Sequence, residues 1–144
     1  MYTTVLVAVD LSEDSKKVIE TARKIAGESS KLHLVHVVEP VTAAYSMDIY
    51  AINVSEMQQE AIKFAEEKLL EIGQQLTIDA DRVHTLLGAP APEIRNLANE
   101  IGADAIVIGS HGHSGWKILL GSTAIKVLHG STCDVMTVHV GKND

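Results

Sequence analysis

The sequence has little of several residue types on which particular protein classes depend. It contains one cysteine, Cys133, among 144 residues, so no disulfide bond can form within the chain. Aromatic residues make up 3% of the composition, and the core must therefore be built from aliphatic side chains. Cys133 is expected to pack as a small apolar residue, because nothing near it in sequence favours a reactive thiolate.

Positive charge is also scarce. Twelve Lys and Arg residues stand against nineteen Asp and Glu residues, which gives a net charge of −7. Nucleic-acid binding relies on clustered Lys and Arg, so nucleic acid is not an expected partner. A small anionic ligand remains compatible with this composition, because backbone N–H groups can bind an anion whatever the net charge of the chain.

Long apolar runs are missing. No stretch approaches the roughly 20 apolar residues that cross a bilayer, and the opening MYTTVLVAVD lacks the basic and apolar regions of a signal peptide. We therefore predict a cytoplasmic protein without a membrane partner.

What the sequence does contain is an alternation of short apolar runs with amphipathic segments. Continuous aliphatic and β-branched runs are typical of strands that are covered on both faces of a parallel sheet. The pattern predicts an α/β fold, a doubly wound five-stranded parallel sheet with helices on both faces, formed by one domain over residues 1–144. The five predicted strands are residues 3–9, 31–38, 82–88, 103–109 and 133–140, and residues 40–52 are predicted to form a loop.

Two of the intervening helices carry clear apolar stripes. Ser12 can cap the first helix and Gly27 marks its end, with a stripe formed by Val18, Ile19, Ala22, Ile25 and Ala26. The second helix is predicted to begin at Ser55, with Met57, Ile62, Ala65, Leu69 and Ile72 on its apolar face. A third begins near Pro92, which suits a first helical turn.

Ligands of such sheets bind beyond the carboxyl ends of the strands, where the strand order reverses. Asp10, residues 37–39 and residues 109–112 all follow predicted strands. Asp10 has two open interpretations: its carboxylate binds a ligand, or it helps to begin the following helix.

The segment GSHGHSGWKILLGST, residues 109–123, holds four of the ten glycines. One interpretation is structural, with glycines serving turns and close packing. The other is functional, because Gly121-Ser122-Thr123 opens a predicted helix whose free N–H groups and dipole attract an anion. His111 and Lys117 are further candidate donors to such an anion.

Several enzyme classes and metal sites lack their residues. The P-loop pattern does not occur, and no glycine stands between Met1 and Gly27 to form a dinucleotide fingerprint. His33 and His36 are three apart on a strand and are expected to point to opposite faces, so no metal site is predicted. His111 is the only candidate general base beside the glycine-rich segment, so we assign no catalytic residue and leave enzymatic activity open.

The chain resembles the universal stress protein family along essentially its whole length. The segments that carry the resemblance are VLVAVDLSEDS (5–15), LHLVHVVEP (32–40), GAPAPEI (88–94), ADAIVIGSHGHSG (103–115) and LLGSTAIKVLHGSTCDVMTV (119–138). The resemblance implies a doubly wound five-stranded domain, a homodimer, and a stress-response role. It also implies ATP binding, with adenine near the end of the first strand and any Mg²⁺ arriving with the nucleotide's phosphates.

The resemblance implies a set of nucleotide-binding residues. Ala8, Val9 and Asp10 would face the adenine and ribose, and Val37 would pack on the adenine. The floor and the phosphate site would be formed by Ile108, Gly109, His111, Gly112, Gly121, Ser122 and Thr123.

The family's glycine pattern, G-x2-G-x9-G-S/T, is one residue shorter here, since eight residues separate Gly112 from Gly121. The loop either absorbs this deletion and binds nucleotide, or the protein is a nucleotide-free dimeric interaction protein of the same family.

The resemblance also places the last strand at a sheet edge. An apolar edge without Pro or Lys invites pairing, so we expect a homodimer formed through the strand at 134–140.

Overall fold

We describe the protein from a computed structural model, in residues 2–27, 31–41, 51–109 and 122–140, with residues 51–53 and 122 described by their backbone. In these ranges strands and helices alternate. The strands are β1 (Thr4–Ala8), β2 (Lys31–Val38), β3 (Val83–Leu87), β4 (Ala105–Gly109) and β5 (Asp134–Val138). The α-helices are α1 (Ser15–Ala26), α2 (Ala51–Gln75), α3 (Pro90–Ile101) and α4 (Ser122–Gly130), and a 3-10 turn, Ala80–Arg82, precedes β3.

The strands form one sheet in the order β3-β2-β1-β4-β5, and every neighbouring pair is parallel. The predicted fold class is therefore confirmed, and β5 lies at a sheet edge as expected. β2 has its predicted bounds, and the other four strands are shorter than predicted. β1 and β3 each lack one residue at either end, β4 begins at Ala105 rather than at 103, and β5 covers Asp134–Val138 rather than 133–140.

Side chains alternate between two apolar layers on the faces of the sheet. Val7 and Leu34 point into a core shared with α1 and α2, whereas Leu6 and Val35 point into a core shared with α3 and α4. The predicted stripe of α1 lies in the first core, with Ile25 only partly buried, and Gly27 ends the helix with a φ of 87°. This layering explains why the strands read as continuous apolar runs.

Helix α2 differs from its prediction at the start. It begins at Ala51 instead of Ser55, so residues 51–52 of the predicted loop are helical, while 42–50 lie outside the described residues. Ala65, Leu69 and Ile72 are buried as predicted, but Met57 is 53% exposed. A helix of 25 residues extends about 38 Å, whereas the eight residues of β2 extend about 26 Å. The first turns of α2 therefore extend past the strands that bury its later turns.

Asp104 fixes the start of the central strand. Its carboxylate accepts hydrogen bonds from the backbone N–H groups of Thr3 and Thr4, both at 3.0 Å. These bonds stabilise the charged form and lower the pKa of Asp104. β1 is thereby joined to the turn that leads into β4.

His33 and His84 form a ring pair that links β2 to β3. Nδ1 of His33 lies 3.0 Å from Nε2 of His84. The ring centroids are 5.3 Å apart and the ring planes differ by 15°. Because this separation is close to the nitrogen–nitrogen distance plus one ring radius on each side, the rings meet edge to edge. That geometry suits one shared hydrogen, with one nitrogen donating and the other accepting.

The other strand histidine, His36, has a different partner, since its Nδ1 contacts the carbonyl of Val9. Within the described ranges, no group of three or more His, Cys, Asp and Glu side chains is arranged to hold a metal ion. None of the helices in the same ranges combines the length and apolar composition that crossing a bilayer requires.

The histidine pair predicts a pH dependence of stability. Burial is the main cause that lowers the pKa of both His33 and His84 below the ordinary value of 6.5. As pH falls from 6.5 toward the folded-state pKa, the unfolded chain binds more protons than the folded chain, so we expect the free energy of unfolding to decrease. Urea unfolding of the wild type and of His84→Gln, about one pH unit above and below 6.5, measures this.

We expect a smaller loss on acidification in His84→Gln than in the wild type. His129→Gln, at an exposed position of α4, is the matched control and should behave as the wild type. An equal loss of stability in the wild type and in His84→Gln would contradict the prediction.

Candidate functional site

A cavity of about 360 Å³ lies beyond the carboxyl ends of β1, β2 and β4, and we call it the carboxyl-edge cavity. The chain order reverses between β1 and β4. β2 and β3 lie on one side of β1, whereas β4 and β5 lie on its other side. Ligand sites of open α/β sheets occur at such reversals. The volume falls within the range of small-molecule sites, about 300–1,000 Å³.

The cavity brings together all the described side chains that the sequence predicted for the site. They are Ala8, Val9, Asp10, Val37, Ile108, Gly109 and Thr123. His111, Gly112 and Gly121 lie outside the described residues, as does the side chain of Ser122, whose backbone begins α4.

Three of these residues give the cavity an apolar wall. Ala8, Val37 and Ile108 belong to the same core layer and come from the neighbouring strands β1, β2 and β4. Ala8 is paired directly with Ile108 in the parallel register. Side by side on one face of a sheet, they can accept a flat apolar group.

Asp10 stabilises the turn that leads into the first helix, and it also lines the cavity. Its Oδ1 accepts a hydrogen bond from the backbone N–H of Ser12 at 2.9 Å and lies 3.4 Å from the hydroxyl of Ser15, which shapes the turn into α1. Its Oδ2 has no hydrogen-bond partner among the described residues. Leu11, the next residue, has a φ of 66°, a conformation that costs energy outside glycine. The turn therefore holds Asp10 through one carboxylate oxygen in the lining of the cavity.

Ser12 was predicted to cap the first helix, but its side chain contacts the turn before that helix. Its hydroxyl oxygen accepts from the N–H of Asp14 at 3.2 Å, whereas α1 begins at Ser15. Ser12 thus stabilises the turn before the helix and does not cap the helix itself, because Asp10 and Leu11 place that turn between strand and helix.

Charge is distributed unevenly around the cavity. Asp10, Asp14 and Glu39 line it, and the described lining includes no Lys or Arg. Thr123, in the first turn of α4, also lines the cavity. A helix N-terminus carries a partial positive charge and free N–H groups. The carboxylates can therefore accept from hydroxyl or amino groups of a ligand, while an anionic group would be favoured near α4.

His36 lines the cavity and was missed by the sequence analysis. Its Nδ1 is 2.7 Å from the carbonyl oxygen of Val9. Since a carbonyl only accepts, Nδ1 carries a hydrogen, and Nε2 of the neutral ring is an acceptor. The only sequence signal was its position near the carboxyl end of β2. Ser15, Val18, Pro90, Ile94 and Val140 also line the cavity without having been predicted.

Several known proteins that are similar to this chain belong to one family. A family model described as the universal stress protein family matches residues 1–139. Universal stress protein A homolog 1 of Coxiella burnetii is 37% identical over 139 residues, which cover 95% of this chain and 96% of that protein.

Solved structures agree with this similarity. Universal stress protein UspA from Lactobacillus plantarum is 26% identical, with a TM-score of 0.78 over 95% of this chain and 97% of that chain. A universal stress protein in complex with cAMP is 28% identical, with a TM-score of 0.63 over 96% of this chain and 97% of that chain.

Gly109 leads to a prediction about what the fold itself requires. A Cβ added there would lie 3.5 Å from Cγ2 of Val18 and 3.6 Å from Cγ2 of Val140, which is ordinary contact. Because glycine weakens a strand relative to alanine, Gly109→Ala should leave the free energy of unfolding unchanged or raise it by up to about 1 kcal/mol. Urea denaturation measures this.

Gly88→Ala is the control, since its added Cβ would lie 2.8 Å from Oε2 of Glu93 at a φ of 152°. We expect Gly88→Ala to be destabilised. If Gly109→Ala lost as much stability, the fold rather than a ligand would require glycine at 109.

Proposed function

Because the chain belongs to the universal stress protein family, we propose that it is a stress-response regulatory protein that binds ATP in the carboxyl-edge cavity. The observation that carries this proposal is Asp10, whose Oδ1 holds the turn while its Oδ2 is without a partner among the described residues, in a cavity at the strand-order reversal. The relative solved with cAMP supports an adenine nucleotide as the class of ligand.

The apolar wall and Asp10 suit the nucleoside end of ATP. The adenine would lie against Ala8, Val37 and Ile108, beside Val9. Oδ2 of Asp10 would accept from a ribose hydroxyl. A hydrogen bond between a charged and a neutral group contributes about 1.5–3 kcal/mol when it is made in a desolvated site.

The start of α4 suits the phosphate end. Thr123 and the first N–H groups of α4 would bind phosphate oxygens, and Gly109 leaves the cavity floor without a side chain. We extend the phosphate site to His111, Gly112, Gly121 and Ser122 on the family resemblance. The lining carboxylates would repel the phosphates and so orient the nucleotide, and any Mg²⁺ would be bound through those phosphates.

We assign no catalytic residue, and nucleotide binding itself would act as the signal by favouring one conformation of the binding segments. We further propose that residues 1–144 form one domain and that the protein acts in the cytoplasm, where ATP is available.

Asp10→Ala tests the nucleotide site. Loss of the ribose contact should weaken ATP binding about tenfold or more, measured by isothermal titration with and without Mg²⁺ on protein that mass spectrometry shows to be nucleotide-free. Glu13→Ala removes a neighbouring carboxylate that does not line the cavity and should bind ATP as the wild type does.

Asp10→Asn separates the two roles of the residue, since an amide oxygen can still accept from Ser12 and hold the turn. We expect Asp10→Asn to fold like the wild type and to bind ATP more weakly. Absence of saturable binding in the nucleotide-free wild type would overturn the proposal and favour a nucleotide-free interaction protein.

We also propose a homodimer formed through residues 134–140. β5 is an edge strand, and an unpaired edge without Pro or Lys favours pairing with a second copy around a two-fold axis. Met136, in the middle of β5, is 36% exposed. A second β5 would remove both the open backbone groups and this side chain from water.

Met136→Lys tests the dimer by light scattering after size exclusion. The wild type should have twice the mass of one chain, and Met136→Lys should shift it toward the mass of a single chain, because an edge lysine opposes pairing. Phe64→Lys, at a 63% exposed position of α2, is the matched control and should stay dimeric. A wild type with the mass of one chain at micromolar concentration would refute the dimer.

A further inference from the structure

A second cavity, of about 410 Å³, lies at the opposite edge of the sheet. Its lining residues lie in the last turn of α1, at the start of β2, or between α2 and β3. Ala26 and Gly27 end α1, Leu32 is the second residue of β2, and Arg82 directly precedes β3. The amino ends of parallel strands share one edge, so this cavity and the carboxyl-edge cavity are separated by the length of the sheet. They share no lining residue.

The charged side chains of this amino-edge cavity are basic. Arg23, Lys24 and Arg82 line it, and the described lining contains no Asp or Glu. The chain as a whole has a net charge of −7, so this concentration of positive charge runs against the overall balance. Asp79, which pairs with Arg82 at 3.3 Å, has a side chain that is 76% exposed, and water screens that pair.

Both arginines are held by backbone carbonyl groups. Nε of Arg82 donates to the carbonyl of Leu32 at 3.1 Å, and an Nη2 hydrogen of Arg23 goes to the carbonyl of Leu76. These bonds and the Asp79 pair engage two of the five N–H groups of Arg82 and one of those of Arg23. The remaining N–H groups have no partner among the described residues. The two guanidinium groups are therefore oriented in advance and retain donors for a ligand.

Helix polarity explains only part of this charge. Arg23 and Lys24 lie in the last turn of α1, where a cation complements the partial negative charge of the helix end. Arg82 is the last residue of the 3-10 turn that follows α2, and the end of α1 does not account for it. A shared anionic ligand accounts for all three.

Thr77, another lining residue, has a strained backbone conformation. It has a φ of 62°, and the N–H of Ile78 bonds to the carbonyl of Gly73 at 2.8 Å, which closes α2 in a turn that favours glycine at the position of Thr77. A β-branched residue is unfavourable there. Thr77 lines the cavity, and such strain concentrates at functional sites.

We propose that the amino-edge cavity binds a small anion that carries a diphosphate group. The planar guanidinium of Arg82 would bind two phosphoryl oxygens at once, Arg23 and Lys24 would neutralise the second phosphoryl group, and Thr77 would supply a hydroxyl donor. This site is independent of the ATP site proposed above.

Titration of ¹⁵N-labelled protein with inorganic pyrophosphate tests this by amide NMR at constant ionic strength. We expect saturable shifts at Gly27, Thr77 and Ile78 and smaller ones at the carboxyl edge. Because each amide signal belongs to a known residue, failure of binding at this cavity can be distinguished from failure of the ATP site.

Three variants, at Lys24 and Arg82, measure the role of the cations. Lys24→Gln removes a charge from a side chain with no hydrogen bond or ion pair to the described residues, and it should weaken pyrophosphate binding severalfold without unfolding. Arg82→Gln should weaken it about tenfold or more, and Arg82→Lys should restore only part of that loss. Lys68→Gln removes the same charge from an exposed position of α2 and should leave the affinity within about twofold of the wild type.

Three results would overturn the proposal. The first is that the amide shifts increase linearly with pyrophosphate concentration without saturating. The second is that the shifts are confined to residues of the carboxyl edge. The third is equal weakening by Lys24→Gln and Lys68→Gln, which would mean binding to net charge alone.

Discussion

The parallel pairing of β1 with β4 is the interaction on which the carboxyl-edge cavity depends. Val5 to Ala8 are paired with Ala105 to Ile108, and Asp104 holds the start of the same pair. Beyond the pairing, β1 continues into α1 on one face and β4 leads toward α4, which packs on the other. The two helices therefore lie on opposite faces of the sheet, and Val9 and Gly109 line the cavity beyond the paired strands. Any change that shifts this pair would move both walls of the cavity together.

The two cavities are lined by side chains of opposite charge, and the direction of the helices accounts for much of the pattern. In a doubly wound sheet the helices run against the strands, so helix N-termini gather at the carboxyl edge and C-termini at the amino edge. Asp10, Asp14 and Glu39 line the cavity at the first edge, and Arg23, Lys24 and Arg82 line the one at the second. Each set opposes the partial charge of the nearby helix ends. A ligand at either edge therefore meets charges of both signs, which fixes its orientation as well as its affinity.

The sequence predicted what depends on local pattern. Strand runs, the stripe of α1 and its end at Gly27 follow from spacing and turn chemistry, and Asp10 and Gly109 were found because they end apolar runs. His36 was missed because its importance rests on the carbonyl of Val9, 27 residues away. The edge-to-edge contact of His33 with His84 joins residues 51 apart, and no local pattern encodes it. The exposure of Met57 depends on how far α2 extends beyond the ends of the strands, and the spacing of apolar residues in the sequence does not encode that length difference. Whether the shortened glycine spacing still binds phosphate concerns residues 110–121, outside the described residues.

The central position of β1 has a consequence for how the chain is made. β1 precedes the other strands of this sheet in the chain and lies between β2 and β4, and Ala105, the partner of Val5, is 100 residues downstream of it. During synthesis β1 can pair with β2 early, but one of its edges stays open until β4 has emerged. Contacts of such separation are slow to form and leave apolar strands exposed meanwhile. The central strand of the finished sheet is therefore also the one that waits longest for its second neighbour in the growing chain.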